Sequence, residues 1–122
     1  MRKFQSEDFQ VFKEWHEKRG LSVPSEAALP RLGLIEDDLA AGFLIQTDCR
    51  LGFLDFYVTN PDAPKKDRAK AIEEISAKLI EAAHRLGIKV LMCNTGFSSL
   101  KKLAEKYRFT YLGEYSSYSR GI

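Results

Sequence analysis

The chain has 122 residues, 44% of them apolar and 30% charged, which suits one hydrophobic core, is short for two, and excludes a disordered polymer. Its 19 basic and 17 acidic residues leave a net charge of +2, which gives no ground for a nucleic-acid or membrane-surface role. Cys49 and Cys93 stand alone, without the spacing of a zinc or redox site or the density of a secreted disulfide scaffold, and no stretch reads as an export signal or a membrane span, so a single cytoplasmic domain is expected over residues 1–122.

Ser6 is placed to cap a helix whose apolar residues Phe9, Val11, Phe12 and Trp15 recur at helical spacing, with Gly20 to end it. Pro24 and Pro30 mark residues 21–31 as a loop, with a turn of helix near 25–28. Three strands follow, at 32–36, 40–47 and 51–59, separated by Asp37-Asp38 and Asp48-Cys49-Arg50, and they read as an antiparallel meander. The third is almost wholly apolar. It is therefore expected to be central, covered on both faces, with Phe53, Leu54, Phe56 and Val58 largely buried.

Beyond Asn60-Pro61-Asp62-Ala63-Pro64, a long helix carries Ile72, Ile75, Leu79, Ala82, Ala83 and Leu86 on one stripe and stops at Gly87. Residues 88–93 read as a short buried strand, Leu100, Leu103, Ala104 and Tyr107 mark another helix, and 110–118 close the chain as a strand. Strand, helix and strand in succession imply a right-handed crossover and a parallel pair. The expected fold class is α/β (α+β): a mixed, mostly antiparallel central sheet of about five to six strands flanked by helices.

Two features carry chemistry. Lys65, Lys66, Arg68 and Lys70 crowd the N-terminal end of the long helix, where the dipole disfavours cations, so they call for an anion or are a solvated first turn. Asp55, between Leu54 and Phe56, is costly to bury unpaired; it is either a general base or a structural partner of Arg50 or of a backbone turn. His16 and His84 have no partner at metal-ligand spacing, so no metal site is expected. Ser98 and Ser99 precede a helical stripe and read as caps.

From Leu34 onward, this order and certain strings resemble the GNAT superfamily of acyl-CoA-dependent N-acyltransferases. In that family a central strand ends in a V-x-P-like segment and leads into a phosphate-cradling R/Q-x-x-G-x-G/A loop at the start of a long helix. Here Val58-Thr59-Asn60-Pro61 stands at the strand end, and Lys65-Lys66-Asp67-Arg68-Ala69-Lys70-Ala71-Ile72 at the helix start. Two registers fit. Lys66-x-x-Ala69-x-Ala71 is preferred on electrostatic grounds, because Arg68-Ala69-Lys70-Ala71-Ile72-Glu73 would put Glu73 beside phosphate. The string from Leu103 to Glu114 looks like the family's helix, K-x-G-F turn and last strand, with Arg108 in place of glycine. Leu29-Pro30-x-x-Gly33 and Ala40-Ala41-Gly42-Phe43-Leu44, with the short length, also resemble small phage-encoded GNAT-like proteins.

The resemblance implies an acetyl-CoA-dependent N-acetyltransferase in which an amine of a protein or small molecule attacks directly. It implies that backbone N–H groups of Phe56, Tyr57 and Val58 polarise the thioester carbonyl, and that Lys65, Lys66, Arg68, Ala69, Lys70 and Ala71 hold the pyrophosphate. Asp55 is the first choice of proton acceptor and Glu36 the second. Ala104 stands where many members carry the tyrosine that protonates the leaving thiolate. Tyr107, Tyr111, Tyr115 and Tyr118 are candidates to replace it, Tyr115 being the one taken into the catalytic set. The same departures motivate an alternative, a catalytically degenerate GNAT-like module that binds a host protein partner.

Overall fold

Alternating and continuous apolar runs in the first half of the chain build most of one sheet, whose order is β1 (Arg2–Lys3), β2 (Leu32–Glu36), β3 (Ala40–Gln46), β4 (Leu51–Thr59) and β5 (Val90–Cys93). The computed structural model describes residues 1–94, 98–113 and 118–122. The first four strands pair antiparallel, and β4 pairs parallel with β5 after the crossover through helix α2 (Lys65–Arg85). Helices α1 (Phe9–Lys18) and α3 (Ser98–Lys106) are the other two α-helices of the described residues. The fold class expected from the residues is the one observed, with five strands and three helices.

Each face of the sheet has its own core. Phe12 and Trp15 of α1 pack with Ile35, Ala41, Phe43 and Val58, and Phe4 joins them through edge-on ring contacts with Phe12 and Phe43. Ile72, Ile75, Leu79 and Ala83 of α2 pack on the other face with Ala40, Leu44 and Leu54. The most deeply covered strand is thus β3, where Ala40, Ala41, Phe43 and Leu44 are at most 1% exposed.

The strand β4 is interior, between β3 and β5. Leu54 and Val58 are buried as expected, whereas Phe53 and Phe56 are only half-buried. For Phe56 the cause is β5, which has four residues and pairs no further along β4 than Leu54; Phe53 lies within the paired stretch, opposite Met92.

Three terminal features differ from the sequence reading. The two-residue strand β1 is too short to leave a periodic signal; Arg2 anchors it by donating to both carboxylate oxygens of Asp8, at 2.7 and 2.9 Å, and to Asp37 at 2.8 Å. The first helix enters through a 3-10 turn at Ser6–Asp8 with Gln5, not Ser6, as its cap, because the Asp8 carboxylate accepts the Gln5 N–H at 2.7 Å. The closing strand expected at 110–118 is absent from its described part: residues 110–113 form no strand, and 114–117 lie outside the described residues. The long helix stops where expected, with Gly87 at φ 77° letting Ile88 N–H reach the Ala83 carbonyl at 3.0 Å. No helix among the described residues is long and apolar enough to cross a membrane.

Candidate functional site

The site forms where β4 outruns its neighbour. Pairing with β5 covers Leu51 to Leu54 and ends at Cys93, while β4 continues to Thr59. On its other side, β4 has two residues, Phe56 and Tyr57, between Asp55 and Val58 where β3 has one, Gly42, between Phe43 and Ala41. That extra residue is a bulge, a device that re-aims side chains. Phe56 takes a left-handed φ of 57° there, at a cost of roughly 1–2 kcal/mol for a residue with a Cβ.

The bulge fixes two side chains. The Tyr57 ring lies against Gly42, where a Cβ would sit 2.5 Å from the ring, and its hydroxyl shares a 3.0 Å hydrogen bond with Ser76 of α2. Burial pushes the Tyr57 hydroxyl up to about 12, so it stays protonated near neutrality. Asp55 Oδ1 accepts the Phe56 N–H at 2.7 Å. Burial pushes the Asp55 carboxyl above its usual range, an effect the Phe56 bond partly offsets. Of the structural roles open to Asp55, the backbone turn is the one seen; no ion pair to Arg50 forms among the described residues. The bond also engages one of the three N–H groups expected to polarise a carbonyl.

Two cavities meet at Tyr57, Leu100 and Leu103, which line both. The inner one, about 170 Å³, lies among Leu54, Asp55, Ile80, Cys93, Ala104 and Phe109. Burial raises the Cys93 thiol, which keeps it protonated and a weak nucleophile. The outer one, about 360 Å³, is walled by Arg19, Lys65, Arg68, Lys102 and Lys106 with a single acid, Glu73. Lys106 and Glu73 form an ion pair that ties α3 to α2.

The outer cavity is short of anions. Arg68 Nε is buried with no hydrogen-bond partner among the described residues. Arg19 donates to the Thr59 carbonyl at 3.0 Å and to Thr59 Oγ1 at 2.6 Å; burial, and then the nearby Arg68 charge, lower its pKa. Both arginines line the same cavity as Lys65, the first residue of α2, whose N-cap is Pro64 and which has no side-chain cap. Uncapped N–H groups, the positive end of the helix dipole and two arginines without a carboxylate make a site for an anion such as a phosphate.

The residues expected at this loop divide by helical geometry. Lys65, Arg68 and Ala69 line the outer cavity with Ile72 and Glu73, the i, i+3, i+4, i+7, i+8 face of α2. Lys66 and Lys70 are exposed and line neither cavity, and Ala71 is core at 2% exposure. In the preferred register, Ala69 lines the cavity, Lys66 is exposed and Ala71 is buried, so the side chains of 66, 69 and 71 do not share a face. Glu73 does stand in the cavity, neutralised by Lys106.

Phe56 and Tyr57 line the inner cavity and Val58 the outer. Glu36 lines neither, being paired with the N-terminal ammonium at 3.2 Å. Tyr107 lines the inner cavity, Tyr111 and Tyr118 are exposed, and Tyr115 lies outside the described residues. Arg19 was not singled out, because nothing local links the end of α1 to Thr59 forty positions on. His16 is buried, its Nδ1 2.8 Å from the Phe12 carbonyl, and no metal-binding cluster is assembled among the described residues.

No protein-family profile and no curated protein matches this sequence. Solved structures do. A single-substitution form of TTHA1254 from Thermus thermophilus is 14% identical, with a TM-score of 0.63 over 99% of this chain and 95% of that one. A protein named a probable acetyltransferase is 15% identical, with a TM-score of 0.60 over 100% and 98% of the two chains. A protein of Agrobacterium tumefaciens, provisionally named an acetyltransferase, is 16% identical, with a TM-score of 0.61 over 98% of both. The likeness runs end to end and establishes a shared fold.

Proposed function

We propose that this chain is a coenzyme-A-dependent N-acyltransferase, passing an acyl group, in its simplest form acetyl from acetyl-CoA, to an amine of a protein or small molecule. The observation that carries the reading is the unpartnered, buried Arg68 Nε beside Arg19 at the uncapped start of α2, in a cleft that leads past Tyr57 into an apolar cavity. A diphosphate, followed by an arm that runs past Tyr57 and carries an acyl group at its end, matches that sequence of surfaces. The shared fold with proteins named as acetyltransferases adds support; function is argued from the site.

Arg19, Lys65 and Arg68 hold the diphosphate with the first N–H groups of α2. Lys102 supplies further positive charge from the opposite wall, where Lys106 is paired with Glu73. When bound, the coenzyme supplies an activated acyl carbon. Asp55 is the one carboxylate among the described residues lining the inner cavity. Its Oδ1 remains on Phe56 N–H while Oδ2 takes the proton that the attacking amine gives up. Tyr57, kept protonated, and Ser76 present hydroxyls at the junction of the two cavities. Much of the acceleration in such a site comes from holding the amine and the acyl carbon together.

The test is thiol release from acetyl-CoA across a panel of amines: a polyamine, a free amino acid, an aminoglycoside and a lysine peptide. Amine-dependent release supports the enzyme. Tight coenzyme A binding without release for any amine supports the partner-binding module, for which Ala104 in the inner cavity speaks, since it offers no hydroxyl.

A further inference from the structure

The inner cavity offers an incoming group hydrocarbon and little else. Leu54, Phe56, Ile80, Leu100, Leu103 and Phe109 supply most of its wall. Of its polar groups, Tyr57 is engaged with Ser76 and one Asp55 oxygen with the Phe56 N–H, and Cys93, Asn94 and Tyr107 make up the rest. An arm rich in amides gains little from such a wall, because desolvated amides need partners. An alkyl chain gains from every methylene it buries.

The size is informative too. A closed apolar cavity of about 150 Å³ takes up a six-carbon ring, and the inner cavity, which is half open to solvent, measures about 170 Å³. An acetyl group places a single methyl there. The surplus exists partly because position 104 is alanine, whose methyl leaves the space between α3 and β4 open.

We infer that the acyl group this site accepts is a short alkanoyl of about four to six carbons in preference to acetyl. The inference rests on the coenzyme-A reading above and adds the class of acyl group. It follows from the juxtaposition of an anion site at Arg19 and Arg68, a junction at Tyr57, and a hydrocarbon-lined space beyond it. The arm occupies the outer cavity and the junction, and the chain's methylenes lie among Leu54, Ile80, Leu100 and Phe109. Bond making is unchanged by chain length: the amine nitrogen joins the acyl carbon, the carbon–sulfur bond breaks with its electron pair left on sulfur, the amine proton passes to Asp55, and coenzyme A departs as the thiolate that takes up a proton to become the thiol.

The experiment is calorimetric titration of the full chain with free coenzyme A and with its acetyl, butyryl and hexanoyl thioesters, without an amine acceptor. The expected result is about fourfold tighter binding per added methylene from acetyl to hexanoyl. In Ala104→Phe, which fills the cavity, that gain should vanish while free coenzyme A still binds; the unliganded melting temperature shows whether the fold persists. Should the variant fail to fold, the chain-length series on the parent protein decides alone. Binding of coenzyme A with affinities that are flat or weaken from acetyl to hexanoyl overturns the inference and leaves the parent reading standing. Absence of binding by every one of the four ligands overturns both.

Discussion

Asp55 Oδ1 accepts the N–H of Phe56, its own neighbour in the chain, at 2.7 Å, and Phe56 is the residue held at φ 57°. The carboxylate thus braces the bulge that shapes the site, and it does so without a cation among the described ion pairs.

Asp55→Asn keeps an acceptor for Phe56 and removes a charge that burial disfavours. It should melt at or above the parent temperature at pH 7, yet turn over about 10²- to 10⁴-fold more slowly if Asp55 takes the amine proton. The raised carboxyl has a signature in stability as well. The folded state keeps its proton where the unfolded chain, near 3.9, has lost it, so this group's contribution falls as pH rises from there through the folded value. That component should be missing in the variant. A marked loss of melting temperature, with parent kinetics in the surviving fraction, assigns Asp55 to the bulge alone.

Arg68 and Lys66 lie two residues apart on α2 but on different faces, and only Arg68 lines the outer cavity. Arg68→Gln should weaken coenzyme A binding about 10- to 100-fold, as expected for a hydrogen bond to a charged group. Lys66→Gln should change it less than about threefold, within the usual reach of an exposed charge. Equal losses in calorimetry would move the phosphate site to the other face of the helix.

Gly42 is close enough to the Tyr57 ring that a Cβ would stand 2.5 Å from one ring carbon, with Ile75 Cγ2 3.1 Å away on the α2 side. Gly42→Ala should therefore destabilise the protein by about 1–3 kcal/mol, the range for overpacking a filled core. It should also shift the Tyr57 fluorescence or resonance as the hydroxyl leaves Ser76. An unchanged denaturation midpoint would show that the ring moves freely.

Asp8 is held below the usual carboxylate range, first by the hydrogen bonds from Arg2 and then by the Gln5 N–H, against an opposing effect of burial. A depressed folded value means that this stabilisation is present above the unfolded value near 3.9 and is lost as pH falls through the folded one. Acid titration of stability should show that loss. In Asp8→Asn it should be reduced, with about 1–3 kcal/mol already missing at pH 7. Parallel curves for parent and variant would remove the Arg2–Asp8 pair from the account.

Most of the architecture was legible because its signals are local. The meander from Leu32 to Thr59, the stripe from Ile72 to Ala83 with its stop at Gly87, and the parallel return at β5 all follow from periodicity and breakers. The site was legible in kind and less so in detail. Asp55 and the basic start of α2 stood out, but the 3.6-residue period decides which of Lys65, Lys66, Arg68 and Lys70 face the cleft, and loop-motif matching passes over it. The bulge at Phe56 has no sequence marker, since φ above zero ordinarily calls for glycine or asparagine. Arg19 reaches Thr59 only through the fold.

The central claim is that the cleft between α2, α3 and the free end of β4 binds coenzyme A through Arg19 and Arg68. Thermal unfolding with and without coenzyme A tests it most directly. A ligand at 100 times its dissociation constant adds about 2.7 kcal/mol, so a rise of roughly 10 °C is predicted for a chain of this size, shrinking in Arg68→Gln. An unchanged melting temperature at saturating, millimolar coenzyme A, in a protein that unfolds cooperatively, would contradict the account.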